Sequence, residues 1–218
     1  MEWLNILSTS NISFRTYKLY KNDAMIYNSQ FNENIFIIIV HGLLYLQKIF
    51  NNEENLCLAI LTENTLVKLN REIKGQKLCY YKLVSLDTSY IICFENNEVS
   101  TKYINNTQIF KKIHTTYHKT ILQYEQMIYI FAHKYVKYRL IQLLIFLAKE
   151  KGTVNENQVE IPLYINHSTI GSIVGSNKNT IYKIIKDLTK ENLINYSIRQ
   201  NTITILDVIG LNKLKSKI

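Results

Sequence analysis

The side chains best placed to do chemistry lie near the end of the chain, in the stretch from His167 to Leu188. The chemistry they suit is hydrogen bonding to DNA rather than bond making. Lys178 and Lys183 can donate to guanine O6/N7 or to phosphate, and Asn179 can pair two ways with adenine N6/N7. Ser168, Thr169, Ser176, Asn177 and Thr180 can hold phosphate oxygens, helped by the amides at helix starts. Tyr182 and Lys186 share the outer faces with them.

Two short helices must position these groups. Ser168 or Thr169 is expected to cap the first, with Ile170, Ile173 and Val174 as its inner face. Gly175 sits at the turn, where a left-handed residue lets two helices meet steeply. Ser176 or Asn177 is expected to cap the second, whose buried stripe is Ile181, Ile184, Ile185 and Leu188. Lys178, Asn179 and Lys183 are then expected on the side opposite that stripe. A hairpin wing follows over Ile194–Ser197 and Thr202–Leu206, with Arg199 near its tip. A small helical domain with solvated lysines is the bland alternative. The glycine turn, both caps, two matched stripes and local basicity coincide, which favours a helix-turn-helix that reads the major groove.

Charge agrees with that reading. The chain has 26 Lys+Arg against 17 Asp+Glu in 218 residues. Residues 134–218 hold 13 basic and 6 acidic residues, whereas residues 1–133 hold 13 and 11. A basic C-terminal third on a near-neutral body suggests a polyanion partner, here double-stranded DNA. Enzyme classes find no support. There is no Gly-rich phosphate loop and no Ser or Cys nucleophile motif, so no catalytic residue is expected. His114 and His118 stand four apart without a third ligand nearby, and His41 reads as structural, so no metal is expected. Cys57, Cys79 and Cys93 have no zinc or disulfide spacing and read as small strand hydrophobes. With no signal segment or membrane span in view, the expectation is a soluble protein without a membrane partner. The abundance of Asn, Ile, Lys and Tyr suggests an A/T-rich genome.

The remaining elements frame this site. Residues 1 to about 104 read as β, with apolar runs at 35–40, 43–46, 56–61, 82–86 and 90–94 separated by Asn-rich turns. From about 106 to 135 the period changes. Phe110, Ile113, Tyr117, Ile121, Tyr124, Ile128, Phe131 and Tyr135 form an a/d seam on a long helix, expected to be a dimer interface. A second helix spans about 137–149 and stops at Lys151-Gly152, where Gly suits a helix end. Residues 153–163 read as polar and extended. The fold class is therefore α+β in three parts: a β-domain over 1–105, a dimerisation helix over 106–135 and a winged helix-turn-helix over 136–218.

These residues carry a resemblance. Ile170-Gly-Ser-Ile-Val-Gly175, Lys183-Ile-Ile-Lys-Asp-Leu188, Asn192-Leu-Ile194 and Ile203-Thr-Ile-Leu-Asp207 resemble the winged helix-turn-helix of the Crp/Fnr family of transcription regulators. Residues 37–46 resemble that family's cyclic-nucleotide-binding-like β-roll. Residues 121–128 and Ala132-His133 resemble the dimer helix of its nitrogen-regulator group in cyanobacteria and algal plastids. The resemblance implies a homodimer on near-palindromic sites, with RNA polymerase as a further partner and 2-oxoglutarate as effector. It also implies work in the plastid stroma, with bacterial cytoplasm as the alternative. Departures matter. The family's reading arginines stand here as Lys178 and Lys183, which lack the planar fork. The group's short pocket helix would fall on Leu66 and Val67, behind Asn64-Thr65. Its pocket Arg has Lys77 as nearest basic candidate. Its dimer-helix Arg stands as Thr120, although Glu125 is kept. A dicarboxylate favours Arg forks, so 2-oxoglutarate is expected to bind weakly or not at all. No cofactor is otherwise expected. A ligand-sensing or scaffold protein that has lost DNA binding is the second functional reading.

Overall fold

The computed structural model describes residues 2–28, 35–68, 79–95, 107–156 and 158–215. The chain divides into two compact units, Met1–Met127 and Ile128–Ile218. Lys77 lies outside the described residues.

The first unit begins with helix α1 (Glu2–Thr9). Among the described residues eight strands follow: β1 (Phe14–Leu19), β2 (Ala24–Asn28), β3 (Ile35–His41), β4 (Leu44–Ile49), β5 (Asn55–Leu61), β6 (Thr65–Lys68), β7 (Tyr80–Ser85) and β8 (Ser89–Glu95). They pair antiparallel in two sheets, β1-β8-β3-β6 and β2-β7-β4-β5. The long helix α2 spans Thr107–Ala132. Alternation sends Ile37, Ile39, Leu44, Leu46 and Leu83 into the core that both sheets share. Their neighbours Phe36, Ile38 and Ile92 face the other way, onto Trp3 and Leu7 of α1 and Ile109 and Ile113 of α2. This explains the unbroken apolar run of β3, which is covered on both faces. Asn22 and Asn64 take positive φ values of 71° and 56° at their turns, as the Asn-for-Gly reading requires.

Three expectations need correction here. Residues 2–9 are helical, not β. Trp3 and Leu7 stand four apart, one helical turn, and both are buried. Leu66–Lys68 belong to strand β6, not to a short helix, because Ile37 pairs with Val67 and Phe36 with Lys68. Tyr135 is not on the long helix. It caps the start of the next one with an extended backbone.

The expected seam divides. Ile113 packs under α1 and the sheet, and Tyr124 packs against the shared core. Burial pushes the Tyr124 hydroxyl pKa up to about 12. Phe131 is half-buried. Phe110, Tyr117, Ile121 and Ile128 stay exposed, at 59%, 39%, 51% and 68%. They follow one another by 7, 4 and 7 residues, so they form a narrower line on one helix face.

One side chain joins α2 to the edge of its sheet. Among the described residues strand β6 has a strand partner on only one side. The free N–H of Leu66 is accepted by Thr120 Oγ1 at 2.9 Å, and the same hydroxyl donates to the Leu66 carbonyl at 2.9 Å. All of this is buried, so water cannot substitute for the hydroxyl. Thr120, which stands where the resembled group has Arg, therefore secures strand to helix. No described helix is long and apolar enough to cross a membrane.

The second unit holds α3 (Val136–Lys151), β9 (Thr153–Asn155), β10 (Gln158–Ile161), α4 (His167–Val174), α5 (Lys178–Lys190), β11 (Ile194–Ser197), β12 (Thr202–Ile205) and α6 (Val208–Lys215). The expected wing exists, and it continues into a four-stranded sheet, β11-β12-β10-β9. The β9–β10 hairpin and α6 went unread in the sequence. Gly152 ends α3, but with an ordinary φ of −73° rather than a left-handed one. Its need is space: a Cβ there would lie 2.3 Å from the Ala148 carbonyl oxygen and 2.6 Å from Val159 Cγ1.

The Thr120 contact yields a prediction. Thr120→Val keeps the shape but leaves the buried polar groups of Leu66 unpaired. It should destabilise the chain by about 1–3 kcal/mol in urea denaturation. A variant as stable as the parent would show that the contact contributes nothing.

Candidate nucleic-acid interface

Helices α4 and α5 form the expected pair, and asparagine begins both. Asn166 Oδ1 accepts from the Thr169 N–H at 2.8 Å, and Asn177 Oδ1 accepts from the Thr180 N–H at 2.8 Å. Each asparagine side chain satisfies one of the orphan amides of a helix start. The second cap is the expected Asn177. The first is not Ser168 or Thr169. The helix starts two or three residues earlier than expected, so both fall inside its first turn, with Ser168 exposed. Ser176 does not cap either. Its N–H bonds back to the Gly171 carbonyl at 2.9 Å.

Between the helices Gly175 takes φ +69°, ψ 54°. A Cβ there would stand 3.2 Å from the Phe131 ring and 3.5 Å from Arg139 Nη1. Arg139 anchors this corner. Its Nε donates to the His133 carbonyl at 2.8 Å and its Nη1 to the Val174 carbonyl at 3.3 Å. The guanidinium lies 5.6 Å from the Phe131 ring centroid, a cation–π distance. No local sequence pattern marks Arg139 for this grip on two helix ends.

The stripes pack as expected. Ile170, Ile173, Val174, Ile181, Ile185 and Leu188 are buried, and Ile184 is half-buried. This fixes which side of α5 faces out. Asn179, Lys183, Lys186 and Lys190 follow at spacings of 4, 3 and 4, so they share the face away from the stripe. All four are exposed. Lys190 was missed, although the same periodicity reaches it. Lys178 departs from expectation. It stands three residues before Ile181, hence on the flank of the stripe and not opposite it. It is exposed there, near His167, whose imidazole pKa is held below its ordinary value by burial first and by Lys178 next. Tyr182 and Lys186 continue that flank at four-residue steps, with the Lys186 ammonium 6.0 Å from the Tyr182 ring. Thr180 is half-buried. Arg199 is exposed in the turn joining β11 to β12.

The flank is bordered by rings. The His167 ring meets Tyr182 edge-on at 5.7 Å and Tyr196 at 5.1 Å, and Tyr196 meets Tyr164 at 5.1 Å. The Tyr196 hydroxyl donates to the Ile165 carbonyl. Burial, and next Tyr164, push the Tyr196 pKa well above its ordinary value. Sequence reasoning passed over His167 because a lone histidine at a helix start carries no spacing signal.

Of the expected effector residues that are described, Leu66 and Val67 part company. Leu66 joins the outer cluster under α1, whereas Val67 joins the core between the sheets. Successive strand residues point to opposite faces, so these two cannot line one pocket. Glu125 is exposed on α2. Among the described residues no group of three His, Cys, Asp or Glu could hold a metal ion. His41 instead pairs with Glu63, Nδ1 to Oε1 at 2.6 Å.

Known proteins place this arrangement. Residues 138–214 match the Crp-like helix-turn-helix domain. A relative in Porphyra purpurea, named as the HTH-type transcriptional regulator ycf28, is 27% identical over 213 residues, covering 97% of this chain and 86% of the relative. The global nitrogen regulator of Synechococcus elongatus is 23% identical over 177 residues, covering 81% of this chain and 79% of its own. A solved CRP/FNR-family transcriptional regulator from Thermus thermophilus superposes with a TM-score of 0.66 at 18% identity, covering 92% of this chain and 98% of its own.

Proposed function

We propose that this chain, which carries a Crp-like helix-turn-helix domain on the Crp/Fnr fold, is a homodimeric, sequence-specific transcription regulator that reads near-palindromic DNA. The carrying observation is the outward face of α5, where Asn179, Lys183, Lys186 and Lys190 stand away from the buried Ile181, Ile185 and Leu188. A helix presents such a face to the major groove when its other side is committed to its own core. Asn179 is the adenine reader, Lys183 and Lys178 reach guanine or phosphate, and Lys186 and Arg199 hold backbone.

The dimer reading is supported by α2. Phe110, Tyr117, Ile121 and Ile128 make an exposed apolar line along a helix of 26 residues, about 39 Å long. A second copy related by a two-fold axis covers such a line with itself. The two reading helices then face half-sites about 34 Å apart.

The relatives named as nitrogen regulators support nitrogen control as the process. The algal relative and the A/T-rich composition support the plastid stroma as its place, with bacterial cytoplasm as the alternative. RNA polymerase is the further partner. The effector pocket is degenerate, because Leu66 and Val67 diverge and Thr120 is occupied with the strand edge.

Three measurements test this reading. Asn179→Ala should cost about 1–3 kcal/mol on the preferred duplex and little on a scrambled one, whereas Lys186→Ala should weaken both and flatten the salt slope by about one unit. Equal losses on both duplexes for Asn179→Ala would remove it as a base reader. In sedimentation at micromolar concentration the parent should run as a dimer, and Ile121→Asp or Ile128→Asp as monomers. A monomeric parent would end the dimer reading. Tyr124→Asp is a poorer probe, since Tyr124 also packs on its own core. Calorimetry with 2-oxoglutarate should show no saturable heat at micromolar levels, and tight binding would restore the pocket.

A further inference from the structure

We propose that His167 is a phosphate contact that takes up a proton as DNA binds, so that DNA affinity rises as pH falls. This rests on the proposed reading of α5. His167 opens α4 and is half-buried. Its ring is held between Tyr182 of α5 and Tyr196 of β11. Lys178, the exposed first residue of α5, stands beside it. The imidazole is thus fixed at the end of α5 that enters the groove, between two side chains of the proposed contact surface. A ring clamped by two aromatic neighbours has little rotamer freedom left to lose when it meets a phosphate.

The groups facing it are Lys178 and Tyr182 from α5 and Tyr196 from β11, with Tyr164 behind Tyr196. Among the described residues no carboxylate is seen facing it, and the one charge seen is positive. Burial, and next the Lys178 ammonium, hold the imidazole pKa below its ordinary value. In the free protein His167 is therefore neutral at neutral pH. A phosphate brings the missing negative charge. It offsets the lysine and favours imidazolium, which then donates a charge-assisted hydrogen bond to it. The sign follows from linkage. The bound state has the higher pKa and holds more protons, so affinity increases on lowering pH through the window between the free and bound pKa values.

The test uses the full chain and a labelled duplex selected from a random pool, with anisotropy read at constant ionic strength. One proton linked to binding gives the parent about three- to tenfold higher affinity near pH 6 than near pH 8. His167→Gln keeps a donor but cannot charge, and should flatten this dependence to under about twofold. His167→Arg should bind tightly at both pH values. Because His167 packs on two rings, a second readout uses the unmutated chain. The carbon-13 titration of the His167 ring should move to higher pH when the duplex is added. An unchanged titration, or a His167→Gln variant with the parent's full pH dependence, overturns the proposal and leaves the reading of α5 intact. A parent that binds neither selected nor scrambled duplex at any pH overturns both.

Discussion

The backbone turns left-handed at Gly175, and the geometry of the reading head depends on that turn. For any residue with a Cβ this conformation costs roughly 1–2 kcal/mol, and here the Cβ would also press on Phe131. The turn stops α4, and Asn177 restarts the chain as α5. Two stripes, one from each helix, then meet in a single small core. Stopping α4 also leaves the Val174 carbonyl without its helical partner, and Arg139 takes it. The same guanidinium holds His133 just past the end of α2. One cation therefore serves two helix ends, which carry partial negative charge, and it does so over an aromatic ring. With that corner fixed, the sides of α5 have no choice. Ile181, Ile185 and Leu188 face in, and Asn179, Lys183, Lys186 and Lys190 face out.

Helix α2 satisfies two demands with one sequence. Ile109, Ile113, Thr116, Thr120, Gln123 and Met127 are buried, while Phe110, Tyr117, Ile121 and Ile128 stay exposed. The first set explains why so long a helix holds to a single β-domain. The second explains why its apolar content exceeds what that domain can cover. Polar residues within the buried set are not wasted. Thr120 closes the open edge of β6, and Gln123 reaches Thr62 at 3.4 Å. Directional bonds of this kind fix where the helix lies on the sheet more sharply than apolar packing alone.

Much of this was legible in the sequence. The long helix, the helix-turn-helix, its stripes, Gly175, Asn177 and the wing all carry periodic or turn signals that local chemistry enforces. What escaped lacked such signals. Helix α1 offers only Trp3 and Leu7, a single repeat, and it is stable because it packs on the sheet. Residues 66–68 suit a strand or a helix by composition, and pairing with β3 decided between them. The seam was read as eight residues because periodicity reports that a face is apolar and not what covers it. Two of those eight turned toward their own domain, and one lies beyond the end of the helix. Asn166 was passed over for Ser168 and Thr169 because a cap is chosen by where the helix starts, a matter of two or three residues. Lys178 was placed opposite the stripe although three-residue spacing from Ile181 puts it on the flank. The aromatic surroundings of His167, Tyr164, Tyr182 and Tyr196, come from three separate segments, and no local pattern contains them.

The central claim is that α5 enters the major groove, once from each of two copies. Dimethyl sulfate footprinting on a selected site tests this directly, since guanine N7 is exposed in the major groove. The account predicts two protected major-groove patches on one face of the duplex, centred about 10 base pairs apart. Protection of a single patch, or of minor-groove positions only, would contradict it.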